Sequence, residues 1–297
     1  MKKHHWGLGA VLALFVVTQA WADEVLKPFI LGETPPGDRT QVVDTLRKSL
    51  HERGFQVVGS YEPYPNATIV AVTSDELKTI ASRTEFGGYG AAQRVAITEV
   101  NGMIQVAYTN PCYIAAAYRM QDSLTGVKAK LVAALGKRRE YGSSEGVPEK
   151  DLRKYRYMLG MERFDSTDKH LLTRYKTHQE ALNAVEEGLA TGRGGVSKVY
   201  RIDIPGKEES VFGVAIREGE GADKYIMDRI DSADVRSTPH LPYEILVSGN
   251  KAYHLFARFR IAMNFPDLSI AGHNSFMAIM SAPGAIQKSL ATAASRE

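Results

Sequence analysis

Arg39-Thr-Gln-Val-Val-Asp-Thr-Leu-Arg-Lys-Ser-Leu-His-Glu-Arg-Gly-Phe55 is the stretch whose reading decides the fold. Val42, Val43, Leu46 and Leu50 recur on one face of a helix, and Arg47, Lys48, Glu52 and Arg53 fall outside it. Asp38 stands where an N-cap belongs, and Gly54 suits the left-handed C-cap that ends a helix. The chain then enters an apolar strand, Phe55 to Tyr61. The same grammar returns at Thr177-His-Gln-Glu-Ala-Leu-Asn-Ala-Val-Glu-Glu-Gly-Leu-Ala-Thr-Gly192, with Gly195-Val196 opening the next strand.

Outward from the first helix, Lys27 to Gly32 reads as a strand before it, and Thr68 to Val72 as an apolar strand after it. Ser74 caps a second helix ending near Ser82, and Glu85-Phe-Gly-Gly-Tyr-Gly90 is a glycine-rich loop. Ala92 to Val100 and Met103 to Thr109 flank Asn101-Gly102, the dipeptide most typical of a two-residue hairpin. Asn110-Pro111 starts a helical pattern, broken near Thr125-Gly126, that runs to Leu135. In the second half the expected elements are strand Leu171–Tyr175, helix Gln179–Ala190, strands Val196–Ile204 and Val211–Ile216, and helix Ala222–Ile230. Strands Tyr243–Val247 and Ala252–Ala262 around Gly249-Asn250 follow, then a closing helical pattern from Asn274 to Ala294. Elements recurring in one order predict an α+β chain of two tandem related two-layer domains, each a small mixed sheet with helices on one face. The boundaries expected are a signal peptide at 1–22, domains at 23–136 and 169–297, and a charged linker at 137–168.

The leader is read from Lys2, Lys3, an apolar run from Gly7 to Val17, and Ala20-Trp21-Ala22 before a cleavage site. It predicts export, most simply to a bacterial periplasm. No later run is long and apolar enough to span a bilayer. The formal net charge of +3 includes Lys2 and Lys3, so the rest is near neutral and carries no global field for nucleic acid. A single cysteine excludes an intrachain disulfide.

His51-Glu-Arg-Gly-Phe55-Gln-Val-Val58 together with Gln105-Val-Ala-Tyr-Thr-Asn-Pro111-Cys-Tyr-Ile-Ala115 resembles the family called domain of unknown function 302. The resemblance covers roughly residues 27–125. It implies a two-layer α+β domain that is often dimeric, so the partner expected is a second copy, or the second half acting as an internal pseudo-dimer. That family has no established activity, and the resemblance brings no catalytic residues.

Three constellations carry chemistry. Cys112 follows Asn110-Pro111, in the first turn of a helix, where a thiolate is stabilised; the structural alternative is a small buried side chain. Tyr89 and Arg94 flank the glycine-rich loop as ligand-binding candidates, the loop acting as an anion nest or else letting two chain segments approach closely. His273, Met277 and Met280 fall at i, i+4 and i+7, a soft donor set for Cu(I) if they share a helix face, and otherwise core filler and a surface residue. Gly142-Ser-Ser-Glu-Gly146 matches the serine-hydrolase pattern by letter, but lies in a polar linker without the strand-to-helix turn that chemistry needs. The function expected is a non-catalytic protein binding a small molecule, metal or protein partner where the halves meet. The alternatives are a thiol-dependent redox or sulfur-handling enzyme using Cys112, and a structural interaction module.

Overall fold

The computed structural model describes residues 24–296; the expected leader, residues 1–22, lies outside them. The first half runs β1 (Val25–Leu26), β2 (Phe29–Leu31), α1 (Arg39–Glu52), β3 (Gln56–Tyr61), β4 (Ala67–Thr73), α2 (Asp75–Ser82), β5 (Gln93–Val100), β6 (Met103–Thr109), α3 (Pro111–Ala117) and α4 (Thr125–Leu135). Next come β7 (Arg139–Tyr141), β8 (Val147–Pro148), α5 (Glu149–Leu152) and α6 (Thr167–His170). The second half is β9 (Leu171–Arg174), α7 (His178–Ala190), β10 (Val196–Asp203), β11 (Glu209–Ile216), α8 (Asp223–Ile230), β12 (Tyr243–Ser248), β13 (Lys251–Tyr253), α9 (Ala257–Asn264) and α10 (Ala282–Ala293).

Local chemistry explains the best-read elements. The Gln41 amide donates to Asp38 Oδ1 at 2.9 Å while the Asp38 amide donates to Gln41 Oε1 at 3.0 Å, a reciprocal cap that starts α1. Asn101 and Gly102 take φ of 51° and 75°, the backbone that lets β5 return as β6 through a two-residue turn. Asn110 does not cap α3; its amide donates to the Lys27 carbonyl at 2.9 Å and to Glu140 at 3.1 Å, tying the helix start to two other segments.

Two sheets of order β3-β4-β5-β6-β2-β7 and β10-β11-β12-β13-β9 make the frame. Strand for strand, the second order repeats the first, with β7 as an added edge. The mixed sheets expected are antiparallel at every pairing: short turns join β3 to β4, β5 to β6, β10 to β11 and β12 to β13, and β2 enters beside β6 running against it. Side chains alternate between the faces. Val70, Val72, Val95 and Ile97 pack with Val42, Leu46 and Leu50 of α1, whereas Tyr61, Ile69 and Ala96 join the core of the second half. Tyr200, Val211 and Leu246 cross the other way. Helices therefore cover the outer face of each sheet and the inner faces meet at a seam. Gly59 marks how closely: a Cβ there would stand 2.1 Å from the Val199 carbonyl oxygen.

Three further expectations change. The stretch expected as a linker, 137–168, is woven into the first half: Ile30 pairs with Glu140 through β7, and Leu26 with Val147 through β8. The strand expected over Ala252–Ala262 stops at Tyr253 and gives way to α9, whose Phe259, Arg260, Ile261, Met263 and Asn264 are all buried. An apolar segment buried on every side loses the one-face stripe that separates helix from strand. The closing helix spans only Ala282–Ala293, preceded by a 3-10 turn at Phe276–Ile279.

Candidate functional site

Arg94 leaves β5 on the seam face, and its Nη1 donates to Glu244 Oε1 of β12 at 2.9 Å. The same carboxylate takes the Tyr200 hydroxyl at 3.0 Å and, through Oε2, Nη1 of Arg260 from α9. Arg260 Nη2 also donates to the carbonyls of His240 and Pro242, at 2.6 and 2.9 Å. Arg94, Glu244 and Arg260 are 1–2% exposed. Burial works most strongly against the Arg260 cation, but the Glu244 carboxylate and the hydroxyls of Tyr118, Tyr243 and Tyr200 together outweigh it and hold the guanidinium pKa above its ordinary value.

The residues flanking the glycine-rich loop meet here, in a filled interior and without an open nest. Tyr89 is buried with its ring centroid 6.2 Å from that of Tyr118, which stacks on Phe164 at 5.5 Å. The anion on the loop is the chain's own: the Gly88 amide donates to Glu209 Oε1 at 2.8 Å. A Cβ on Gly88 would lie 2.6 Å from Leu246, so close approach is what the glycine permits.

Cys112 lies apart, buried in the core of the first half, and burial pushes its thiol pKa up, against the lowering expected at a helix start. The donor set for Cu(I) also changes. His273 sits in an exposed bend, Met277 in the 3-10 turn and Met280 just after it, so no α-helix spans the three. Met277 and Met280 are exposed, which removes the core-filler reading too. Among the described residues no group of three or more His, Cys, Asp and Glu is placed to hold a metal.

Open space lies at one end of the seam. A cleft of about 640 Å³ is lined by Lys27, Arg139 and Tyr141 from the first half and by Asp231, Asp234 and Phe265 from the second. Asp267 staples its two walls, taking the Ser143 hydroxyl at 3.1 Å and the Ser144 amide at 2.6 Å. Asp231 is buried beneath it, both oxygens accepting the Ser237 amide at 2.9 and 3.0 Å. Burial pushes its pKa up to about 7. A second cleft, of about 480 Å³, lies beside Tyr64, Asn101 and Arg236 and shares Asp231 and Ser232 with the first.

At the other end of α8, Asp223 is buried and accepts the Tyr61 hydroxyl across the seam at 3.0 Å. Burial raises its pKa to about 7, against the pull of that hydrogen bond. Sequence reading missed Glu244, Arg260, Asp223 and Asp231. For the first two a signal existed, a lone charge inside an apolar run, in Tyr243-Glu-Ile-Leu-Val247 and Phe259-Arg-Ile-Ala-Met263. No helix among the described residues is long and apolar enough to cross a membrane. No protein-family model, no curated protein and no solved structure matches the chain.

Proposed function

We propose that the chain is an exported, non-catalytic binding protein that holds a small polar ligand in the cleft at the end of the seam. The observation that carries this reading is the cleft itself, large enough for a small molecule and walled by both halves. Asp234 and Asp267 face Lys27 and Arg139 along it, and Tyr141, Phe265 and Leu268 supply apolar surface. That lining suits a small ligand that carries both an amine and an acid group. Export to a periplasm rests on the leader sequence alone, as descent of the two halves from one copied unit of the domain of unknown function 302 type rests on Gly54-Phe55 and Asn110-Pro111 and on the shared strand order. The thiol-enzyme reading has the weaker support, because its nucleophile is buried and protonated at neutral pH.

Native mass spectrometry of protein recovered from its host tests the binding reading. A retained small molecule, lost in the Asp231→Ala variant with the fold intact by circular dichroism, is the result expected. A wild-type chain that carries no adduct and shows no thermal shift across a panel of amines and amino acids would sink the proposal.

A further inference from the structure

The segment from Lys154 to Arg163 presents an apolar tip outside the cleft. In Lys154-Tyr-Arg-Tyr-Met-Leu-Gly-Met-Glu-Arg163 a turn closed by the Met161 amide on the Met158 carbonyl, at 3.1 Å, pushes Met158 and Leu159 outward. Leu159 is 94% exposed, the most of any large apolar side chain described. Leucine held in water costs free energy in proportion to its area, and Met158 beside it, 48% exposed, widens the apolar tip. The Tyr157 hydroxyl donates to the Leu268 carbonyl at 3.1 Å, binding the segment to the loop that carries Ile270, Met277 and Met280, all more than half exposed.

The cations that flank the tip itself, Lys154 and Arg156, are exposed and, among the described residues, free of ion pairs. Glu162, the acid within Leu152–Phe164, is buried and bonded to Arg258 at 2.6 and 3.0 Å. Asp165 beside it is paired with Arg119 and Arg163. The nearest acid on the neighbouring loop, Asp267, is engaged by the Ser143 hydroxyl and the Ser144 amide. Half-buried Tyr155 and Tyr157 anchor the base of the turn, their hydroxyls bonded to the Ala262 and Leu268 carbonyls.

We propose that the Met158–Leu159 turn, with Lys154 and Arg156, docks the protein peripherally on an anionic phospholipid surface, the apolar tip entering the headgroup boundary and the cations meeting lipid phosphates. An apolar tip and a small cationic flank are each weak alone, and their contributions add in a reversible attachment. Attachment of this kind needs no membrane-spanning helix.

Co-sedimentation with vesicles of phosphatidylcholine, with and without phosphatidylglycerol, tests this on the full chain, so any contribution of residues 1–23 is common to every variant. The wild type should bind the anionic vesicles and release in high salt. Leu159→Glu and the double variant Lys154→Glu/Arg156→Glu should each weaken binding by about tenfold, with an unchanged melting temperature because all three side chains face solvent. Equal binding by all three proteins, binding indifferent to phosphatidylglycerol, or no binding overturns the proposal. So does a dimer in sedimentation velocity that Leu159→Glu dissociates without any vesicle binding, since a second copy would then be the occupant.

Discussion

Glu244 is where one carboxylate, shut off from water, answers two guanidiniums and a phenol. Removing one partner from such a group leaves the others charged and uncompensated. Glu244→Gln should therefore lower stability by about 3–5 kcal/mol in urea unfolding. The exposed pair Lys224–Asp228 provides the contrast: Asp228→Asn should change stability by no more than about 0.5 kcal/mol. Asp223 and Asp231 give a pH dependence of definite sign. Their folded pKa values, about 7, lie above the ordinary carboxyl value of 3.8, so the folded chain holds these protons more tightly than the unfolded one. The stability they lend is complete below pH 3.8 and is lost as pH rises to 7. Each accounts for about 4 kcal/mol at most. Denaturation midpoints between pH 5 and 8 should fall with pH in the wild type and fall less in Asp223→Asn. Cys112, buried and protonated, should resist alkylation at neutral pH until the chain is unfolded.

Among the elements, β3 and β10 meet where Gly59 has no side chain to interpose. Gly59→Ala should cost about 1–3 kcal/mol, read as a lower melting temperature, since the facing atom is backbone and cannot rotate away. Helices with one apolar stripe were legible: α1 and α7 carry theirs at regular spacing and have side-chain caps at Asp38 and Thr177. So was the β5–β6 hairpin, through Asn101-Gly102. Segments covered on all sides were not. In α9 the alternation of Arg258, Arg260 and their apolar neighbours imitates a strand, and only contacts from Glu162 and Glu244 reveal that each arginine serves a different partner. For the candidate site, Arg94 and Tyr89 were legible as residues, but not as members of a closed interior. Nothing local tells a chain which partner strand will supply Glu244 from 150 residues away.

Across the whole molecule, neither half keeps its core to itself. Ile69 and Ala96 pack in the second half's cluster, and Val211 and Leu246 in the first's. The two halves should accordingly unfold in one calorimetric transition, and residues 24–136 expressed alone should show neither a cooperative transition nor native near-ultraviolet circular dichroism. The placement of β2 has a temporal consequence. That strand lies between β6 and β7, with Ile30 registered against both Tyr108 and Glu140. A ribosome working from the amino end delivers it early, yet its final neighbour is made more than a hundred residues afterwards. Until then β2 can rest only on β6 and its other edge stays open, while β3 and β4, joined by residues 62–66, are the first piece of that sheet able to close on itself through a short turn.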